Sequence, residues 1–365
     1  MELIRFSSWK GKLIIGVVLL LLGGFIWWLL LYVPYRPKAY VGVAEWEFDG
    51  RQDVNYSSQI LEIDLMSLSV TNTLFVDTDF ISKIRALEID ENNNLLYAGG
   101  SIGDGIDQRL KDEVLREKGR HSRGVEVYDL ETNEKNRRME IVGNRHISQI
   151  QLSGNGEKVF IFPNQKEYRS DLISGIHDVE DGKYIRGFDK IARQREYISS
   201  KGDTIYTFLG TKPEYFTFVE YSTVKDERTT HLLKEPERIK ERGGMHPDPA
   251  DSFKLDYPYY VRLSHWEEPI QAYDRDTFEQ IDTGPVVTEG LDKEEVGRVS
   301  TSVPGMLTKD NRYLVVRYTK SLDQGDGEAR WALYFRVIDL EKMEIMGDAK
   351  IWEAQYGSTT NVVAY

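Results

Sequence analysis

From about residue 39 onward, short runs of alternating apolar and polar residues are separated by polar turns. One such stretch, "VYDLETNEKN" at 127–136, has close relatives in "AYDRDTFEQI" at 272–281 and "VIDLEKMEIM" at 337–346. Each contains a strand-like run, a turn that follows Asp, and a second run, which is the pattern of a β-hairpin. Asp is suited to the turn entrance because its carboxylate accepts hydrogen bonds from backbone N–H groups two residues further on.

Alignment on this Asp finds five copies and a sixth in which Ser replaces it. The aligned residues are Asp64, Asp129, Asp178, Ser222, Asp274 and Asp339. A second hairpin, with Asn, Gly or Asp in its turn, precedes most copies, at 86–100, 150–163, 197–210 and 306–318. Two hairpins in a unit of about 45–65 residues make a four-stranded sheet, and repeats of this length are typical of β-propellers.

The predicted fold is therefore all-β, a β-propeller of four-stranded antiparallel blades whose strands we label a to d from the innermost outward. Blades two to six are predicted at 84–142, 147–188, 195–233, 253–283 and 303–351. Blade one has strands at 39–48, 58–65 and 69–77 but no innermost strand. We predict that residues 360–365 fill this position and close the ring, which favours six blades. A seven-bladed ring with a C-terminally truncated chain is the alternative.

A membrane anchor is predicted at 13–33, where 21 residues carry no charge and a helix is long enough to cross a bilayer. Trp27, Trp28 and Tyr32 lie near its C-terminal end, where aromatic rings favour the membrane interface. A cleaved signal peptide is the alternative, although its apolar region usually has only about 7–15 residues. The predicted divisions are a cytoplasmic tail (1–12), the anchor (13–33), a linker (34–38) and the propeller domain (39–365).

The predicted orientation follows from the basic residues that flank this segment. Arg5, Lys10 and Lys12 precede it, and Arg36 and Lys38 follow it. Because positive charge is enriched on the cytoplasmic side, the short tail is assigned to the cytoplasm. The protein is then a single-pass protein of the cytoplasmic membrane, in contact with lipid through 13–33, with the propeller in the periplasm or outside the cell.

Composition narrows the possible partners and chemistry. The chain has 60 acidic and 47 basic residues, a net charge of −13, which argues against nucleic acid as a main partner. It contains no Cys, so disulfides, thiolate nucleophiles and Cys-bound metals are excluded. The sequence also lacks a G-x-S-x-G elbow, a P-loop and a Rossmann fingerprint. We predict no cofactor, and no catalytic residue can be named.

The connections between predicted strands differ in length on the two faces of the propeller. Turns a–b and c–d are short, whereas the long inserts are all b–c or d–a connections, which emerge on the other face. These inserts are 101–123, 164–173, 234–252, 284–302 and 319–330. Since binding groups concentrate on loops held by a rigid scaffold, the function is predicted to lie on the face with the long inserts.

Candidate binding residues lie in these inserts and, for His265, in the loop region between 252 and 284. Those residues are Arg116, Arg120, His121, Arg123, His246, Asp248, Asp251 and His265. The Arg side chains form a basic cluster that suits a carboxylate or an acidic partner, or else they line a solvated helix face. The His and Asp side chains have the donor atoms of an oxygen/nitrogen metal site, but no HExxH, His-x-His or EF-hand spacing supports one, and no metal is predicted.

The paired hairpin phrases resemble those of YVTN-type and WD40-like β-propellers, over residues 39–365. The stretch "RWALYFRVIDLEKMEIMGDAKI" at 330–351, with the preceding "YLVVRYTK", also resembles propeller subunits of quinoprotein amine dehydrogenases. That resemblance implies a seven-bladed support for a small catalytic subunit whose quinone derives from its own side chains. The chain departs from this family in its predicted anchor and six blades. Lactonase-like propellers are similar too, but their acidic metal ligands cannot be matched to residues in this sequence.

The function predicted from sequence is a protein-binding or scaffold module that docks a partner on its loop-rich face. The alternative is enzymatic, either a propeller subunit of a periplasmic redox complex or a metal-dependent hydrolase. A docking face presents aromatic and Arg anchors over a broad patch. An enzyme instead converges carboxylates or His on the central channel.

Overall fold

The computed structural model describes most of the predicted propeller domain. The described residues are 20, 36–48, 53–76, 81, 83–90, 92–101, 122–142, 147–153, 156–163, 174–180, 182–188, 196–198, 204–212, 215–222, 225, 227–234, 259–262, 269–274, 280–292, 296–300, 308, 310, 312–322 and 330–364. The chain divides into two compact units, Met1–Arg36 and Pro37–Tyr365. Within the described ranges no helix is long and apolar enough to cross a membrane. The predicted anchor at 13–33 lies outside them, apart from Leu20.

The described part of the second unit is built from β-strands. Their bounds are β1 Lys38–Phe48, β2 Asp53–Asp64, β3 Ser69–Phe75, β4 Lys83–Asp90, β5 Leu95–Ser101, β6 Ser122–Asp129, β7 Lys135–Val142, β8 Ile147–Leu152, β9 Lys158–Pro163, β10 Ser174–Asp178, β11 Tyr184–Phe188, β12 Glu196–Ile198, β13 Thr204–Lys212, β14 Tyr215–Ser222, β15 Glu227–Lys234, β16 Tyr259–Arg262, β17 Pro269–Asp274, β18 Gln280–Val286, β19 Val296–Ser300, β20 Tyr313–Leu322, β21 Arg330–Asp339, β22 Glu344–Ala354 and β23 Gly357–Ala364.

These strands form six antiparallel sheets in the described residues, and five of the sheets consist of consecutive strands. The sheets are β4–β7, β8–β11, β12–β15, β16–β18 and β19–β22, together with a first sheet in the order β23-β1-β2-β3. The predicted arrangement of successive four-stranded blades is confirmed for five of these sheets, and the bounds predicted for blade three match those of the sheet β8–β11. We number the blades from one to six in chain order, starting with the sheet that contains β1.

Two predicted blades need correction. Blade five has three described strands and continues to Val286 instead of ending at 283, because β18 pairs with β17 as far as Pro269↔Val286. Blade six begins at Val296 and not at 303, because β19 pairs with β20 from Val296↔Lys320. The polar residues before 303 had suggested a loop, but edge strands tolerate polar side chains, so composition did not reveal this strand.

The last strand completes the first blade, as predicted. β23 pairs with β1 from Ala39↔Ala364 to Glu45↔Gly357, so it is longer than the predicted segment at 360–365. The register shifts next to Gly42, where the backbone N–H of Gly42 donates to Thr360 Oγ1 at 2.9 Å. A side chain does not fit at Gly42, because an ideal Cβ would lie 2.6 Å from Thr360 Cγ2.

The Asp turns have the predicted hydrogen bonds. Asp129 Oδ1 accepts from the backbone N–H groups of Glu131 and Thr132 at 2.8 and 2.9 Å. Asp64, Asp178 and Asp339 accept from the residue two positions later in the same way. In the sixth copy Ser222 Oγ accepts from the N–H of Lys225 at 3.1 Å. The turn after Asp274 lies outside the described residues.

The a–b and c–d turns lie together at one edge of each sheet. In four blades whose turns are described, the residue after the turn Asp donates its backbone N–H to the carbonyl of the residue that precedes strand b. The bonds join Leu65 to Pro37, Leu130 to Asn94, Val179 to Glu157 and Leu340 to Arg312. We call the edge that carries these turns the short-turn rim, and the edge that carries the b–c and d–a connections the long-loop rim.

Hydrophobic clusters lie between neighbouring blades. Blades six and one share a cluster that includes Val315, Phe335 and Val362, while blades one and two share one that includes Ile60 and Ile84. Blades two and three, and blades five and six, are joined by clusters of the same kind. Burial of apolar side chains between sheets therefore holds successive blades together.

Candidate functional site

The described strands confirm the unequal lengths of the connections. The c–d turns are 65–68, 130–134, 179–183, 223–226, 275–279 and 340–343. The longer connections on the long-loop rim are 76–82, 102–121, 164–173, 189–195, 235–258, 263–268, 287–295 and 323–329. Other connections on this rim are short, including 143–146, 213–214 and 355–356. The a–b connections 91–94, 153–157 and 199–203 are short as predicted, but in blade six the a–b connection is 301–312, so the prediction of short a–b turns is wrong for this blade. Most of the length lies on the long-loop rim, without being uniform around it.

The predicted candidate residues fall almost entirely in these connections. Arg116, Arg120, His121, His246, Asp248, Asp251 and His265 lie outside the described residues. Arg123 does not lie in a loop, as the sequence suggested, but in β6 opposite Ile141. The reason is that the β6–β7 ladder continues to Ser122↔Val142, beyond the point where the sequence turns polar. Within the described ranges, no group of three or more His, Asp or Glu residues is placed to hold a metal ion.

A buried ion pair supports the connection between blades five and six. Arg336 is 3% exposed, and its Nε and NH2 donate to Asp348 Oδ1 and Oδ2 at 2.8 and 2.7 Å. Its NH1 donates to the carbonyl oxygens of Val287 and Glu289 at 2.6 and 2.8 Å. This side chain therefore fixes the start of the 287–295 connection to the outer strands of blade six.

Blade two has an ion pair at the equivalent position, in which the acidic and basic residues have exchanged strands. Glu126 precedes its turn Asp by three residues, as Arg336 does, and faces Arg138 across the strands. The buried carboxylate of Glu126 accepts from Tyr128 Oη at 2.6 Å, from Arg138 NH2 at 3.0 Å and from Lys135 Nζ at 3.3 Å. Sequence reasoning missed both pairs. The sequence contains a signal for both pairs, because each has a charged residue three positions before the turn Asp.

Blade six is also linked to the closing strand. Arg317 NH1 in β20 donates to Thr359 Oγ1 at 3.0 Å and to the carbonyl oxygen of Thr360. In the same blade as the closing strand, Glu62 accepts from Lys38 Nζ at 2.9 Å and from Tyr40 Oη at 3.1 Å. The strands next to the closure are thus held by polar contacts as well as by the ladder.

Among the buried titratable side chains of the described residues, Tyr97 and His177 have pKa values that burial shifts. Burial raises the pKa of the Tyr97 hydroxyl, which accepts a hydrogen bond from Arg137 NH2 at 3.3 Å. Burial lowers the pKa of His177, whose Nδ1 lies 3.2 Å from the carbonyl oxygen of Gly182. The neutral imidazole therefore donates from Nδ1, and its ring meets Tyr184 edge-on at 5.5 Å.

Exposed apolar side chains occur at both rims in the described part of the chain. On the long-loop rim, Phe75 at the end of β3 is 74% exposed and Tyr356 is 41% exposed. On the short-turn rim, Met66 in the turn 65–68 is 52% exposed and Val70 is 40% exposed. On the same rim, Tyr184 and Ile185 after the turn 179–183 and Ile281 after the turn 275–279 are also about half exposed. Aromatic side chains of this kind are suited to bind a partner protein.

The fold defines the class of protein. Successive antiparallel sheets, each a meander of consecutive strands, with the first sheet completed by the last strand, are the organisation of a β-propeller. No protein family model matches the chain. No curated protein matches it significantly either.

Solved structures similar to the chain are β-propellers. TolB from Acinetobacter baumannii has a TM-score of 0.45 and 9% identity, over 90% of this chain and 66% of that one. A putative 6-phosphogluconolactonase from Bacteroides uniformis has a TM-score of 0.40 and 11% identity, over 86% and 83%. The Cps50 (Swd1) β-propeller domain of Myceliophteria thermophila has a TM-score of 0.37 and 11% identity, over 76% and 88%. The propeller assignment itself rests on the strand order given above.

Proposed function

We propose that the chain is a membrane-anchored, extracytoplasmic β-propeller that acts as a protein-binding scaffold and docks its partner on the long-loop rim. Residues 13–33 form the anchor in this proposal, and the short N-terminal tail is cytoplasmic. The observation that carries the proposal is the unequal length of the connections, because the c–d turns span four or five residues, whereas the longest connections, 102–121 and 235–258, lie on the long-loop rim. A scaffold with one trimmed rim concentrates its variable surface on the other.

The described contacts support a rigid base for this surface. Arg336 fixes the beginning of the 287–295 connection, and Arg317 joins blade six to the closing strand. Loops held at their ends by such contacts lose less conformational entropy on binding than loops on a mobile base.

The chemistry of this rim suits a protein surface. Phe75 and Tyr356 provide exposed aromatic rings, and Arg116, Arg120 and Arg123 add basic side chains to the sequence around one long connection. Aromatic and Arg side chains are enriched among the residues that dominate protein–protein binding energy. Because the overall charge of the chain is −13, an acidic partner is attracted specifically to the local basic segment.

The experiment is capture of the partner from membranes by the full-length chain after crosslinking. In the test variant a two-residue Asn-Gly turn replaces 102–121, the longest b–c connection, so that β5 and β6 remain paired. The proposal expects the crosslinked partner to be lost or strongly reduced. The matched control, Lys342→Gln in a turn on the short-turn rim, retains the partner. An unchanged crosslink in the 102–121 variant contradicts a role for this connection.

Elemental analysis of the purified full-length chain separates the scaffold from the enzymatic alternative. A scaffold contains no stoichiometric metal ion, whereas a metal-dependent hydrolase does. The resemblance to amine dehydrogenase propeller subunits stays a prediction, and co-purification of a small quinone-containing subunit is the result that supports it.

A further inference from the structure

The chain enters blade one at the short-turn rim. Lys38 is the first residue of β1 and pairs with Asp64, the residue that opens the c–d turn of the same blade. The carbonyl oxygen of Pro37 accepts from the backbone N–H of Leu65 at 3.0 Å. The residue that precedes the propeller therefore lies in contact with the turn 65–68.

The chain between the predicted anchor and this turn is short. The uncharged segment ends at Val33, which leaves the four residues 34–37 before β1. A fully extended chain covers at most about 3.5 Å per residue, so this connection reaches no more than about 14 Å. A bilayer that holds residues 13–33 is therefore within this reach of the turn 65–68.

The turn 65–68 differs chemically from the c–d turns of the other blades. Its sequence, Leu-Met-Ser-Leu, contains no charged residue, whereas 130–134, 179–183, 223–226, 275–279 and 340–343 each contain at least one acidic residue. Leu68 packs against the core, but Met66 is half exposed, and Val70 at the start of β3 is also exposed. The one uncharged c–d turn is thus the turn beside the entry of the chain.

We propose that the turn 65–68 contacts the lipid headgroup layer, with Met66 inserted among the headgroups. This inference rests on the proposed membrane anchor. Transfer of an apolar side chain into the interface is favourable, whereas an acidic turn loses hydration there and is repelled by anionic lipids. Contact is therefore centred on blade one, whose c–d turn is uncharged, and the short-turn rim faces the bilayer. The long-loop rim then faces away from the membrane, where a partner protein can reach it.

The chain contains no Cys, so a single engineered Cys gives a unique labelling site. The test uses the full-length chain in liposomes, with a fluorophore on Met66→Cys and a nitroxide quencher on the lipid headgroups. Phe75→Cys is the matched control, because it lies at the opposite end of the same outer strand and is also exposed. Thr132→Cys probes an exposed, acidic turn on the same rim.

The expected result is headgroup quenching at least about threefold stronger at Met66→Cys than at Phe75→Cys, with Thr132→Cys between them. Equal quenching at positions 66 and 75, or stronger quenching at 75, overturns the proposed contact of the turn 65–68 with lipid. Neither result contradicts the proposed anchor. Flotation of the same liposomes after an alkaline wash tests the anchor separately. A chain that fails to float with the liposomes overturns both the anchor and the contact that rests on it.

Discussion

At the residue scale, the hydrogen-bonding role of the turn Asp could be predicted from sequence. The left-handed backbone conformation of the residue four positions after it could not. Leu68 and Met343 adopt positive φ angles of 51° and 52°, where Gly182 stands in the equivalent turn of blade three. A left-handed conformation costs a non-glycine residue about 1–2 kcal/mol. Leu68 offsets this cost by packing against the core and reaching the space beside Gly347. Local sequence rules do not include such contacts between blades.

His177 gives a prediction for the pH dependence of stability. Its pKa is lowered by burial in the folded state, so the unfolded chain binds the proton more readily. The stability that the neutral imidazole contributes is therefore present above the unfolded pKa of about 6.5 and is lost as the pH falls below it. Unfolding in urea between pH 7.5 and 5.0 measures this loss.

The control for this prediction is His177→Gln, which keeps a donor for the Gly182 carbonyl and does not titrate. We expect the native chain to lose more unfolding free energy on acidification than the variant, by up to about 1.4 kcal/mol per pH unit. Identical slopes for the two proteins would show that His177 is not buried in its neutral form.

At the scale of strands and sheets, the repeating phrases were sufficient to predict the blades and the closing strand. The order of hairpins fixed which strands are neighbours, and the unpaired C-terminal run indicated where β23 belongs. The start of β19 and the strand position of Arg123 were missed, because hydrogen bonding extends these ladders into polar sequence. Most predicted binding residues lie outside the described ranges and stay predictions.

The close approach of Gly42 to Thr360 predicts that a larger residue at position 42 destabilises the pairing of β1 with the closing strand β23. Gly42→Ala should lower the free energy of unfolding by about 1–3 kcal/mol, because the added Cβ meets the Thr360 methyl. Thr360→Ser removes that methyl and keeps the hydroxyl that accepts from the Gly42 N–H. The double variant should therefore be more stable than the sum of the single changes, as measured by a urea-unfolding cycle. Strict additivity would contradict the contact.

The Arg336 ion pair predicts that loss of this side chain weakens the connection between blades five and six. Arg336→Met should destabilise the chain by about 3 kcal/mol, because it removes the ion-pair partner of Asp348 and leaves the carbonyl oxygens of Val287 and Glu289 without this buried donor. Arg330→Met is the matched control in the same strand, since Arg330 is exposed and pairs with Glu353 at 3.6 Å. The control should cost at most about 1 kcal/mol. Equal losses in chemical denaturation would show that Arg336 does not join the two blades.

At the scale of the whole molecule, the two rims have different roles in the account. The long-loop rim carries most of the longer connections, while every c–d turn of the short-turn rim contains an acidic residue except the turn beside the entry of the chain. This division could be predicted from sequence because an Asp turn, or in blade four the Ser222 turn, marks the same rim in every blade. The partner could not be predicted, since no motif with a known ligand occurs on the long connections.

Photocrosslinking from both rims tests the docking surface most directly. The photoreactive residue p-benzoylphenylalanine is placed at Phe75 or Tyr356 on the long-loop rim, where it replaces an exposed aromatic ring. Lys342, exposed in a turn of the short-turn rim, takes the same residue as the control. In membranes with the full-length chain, the account predicts a crosslinked protein from position 75 or 356 and none from 342. A partner crosslinked from position 342 alone would contradict it.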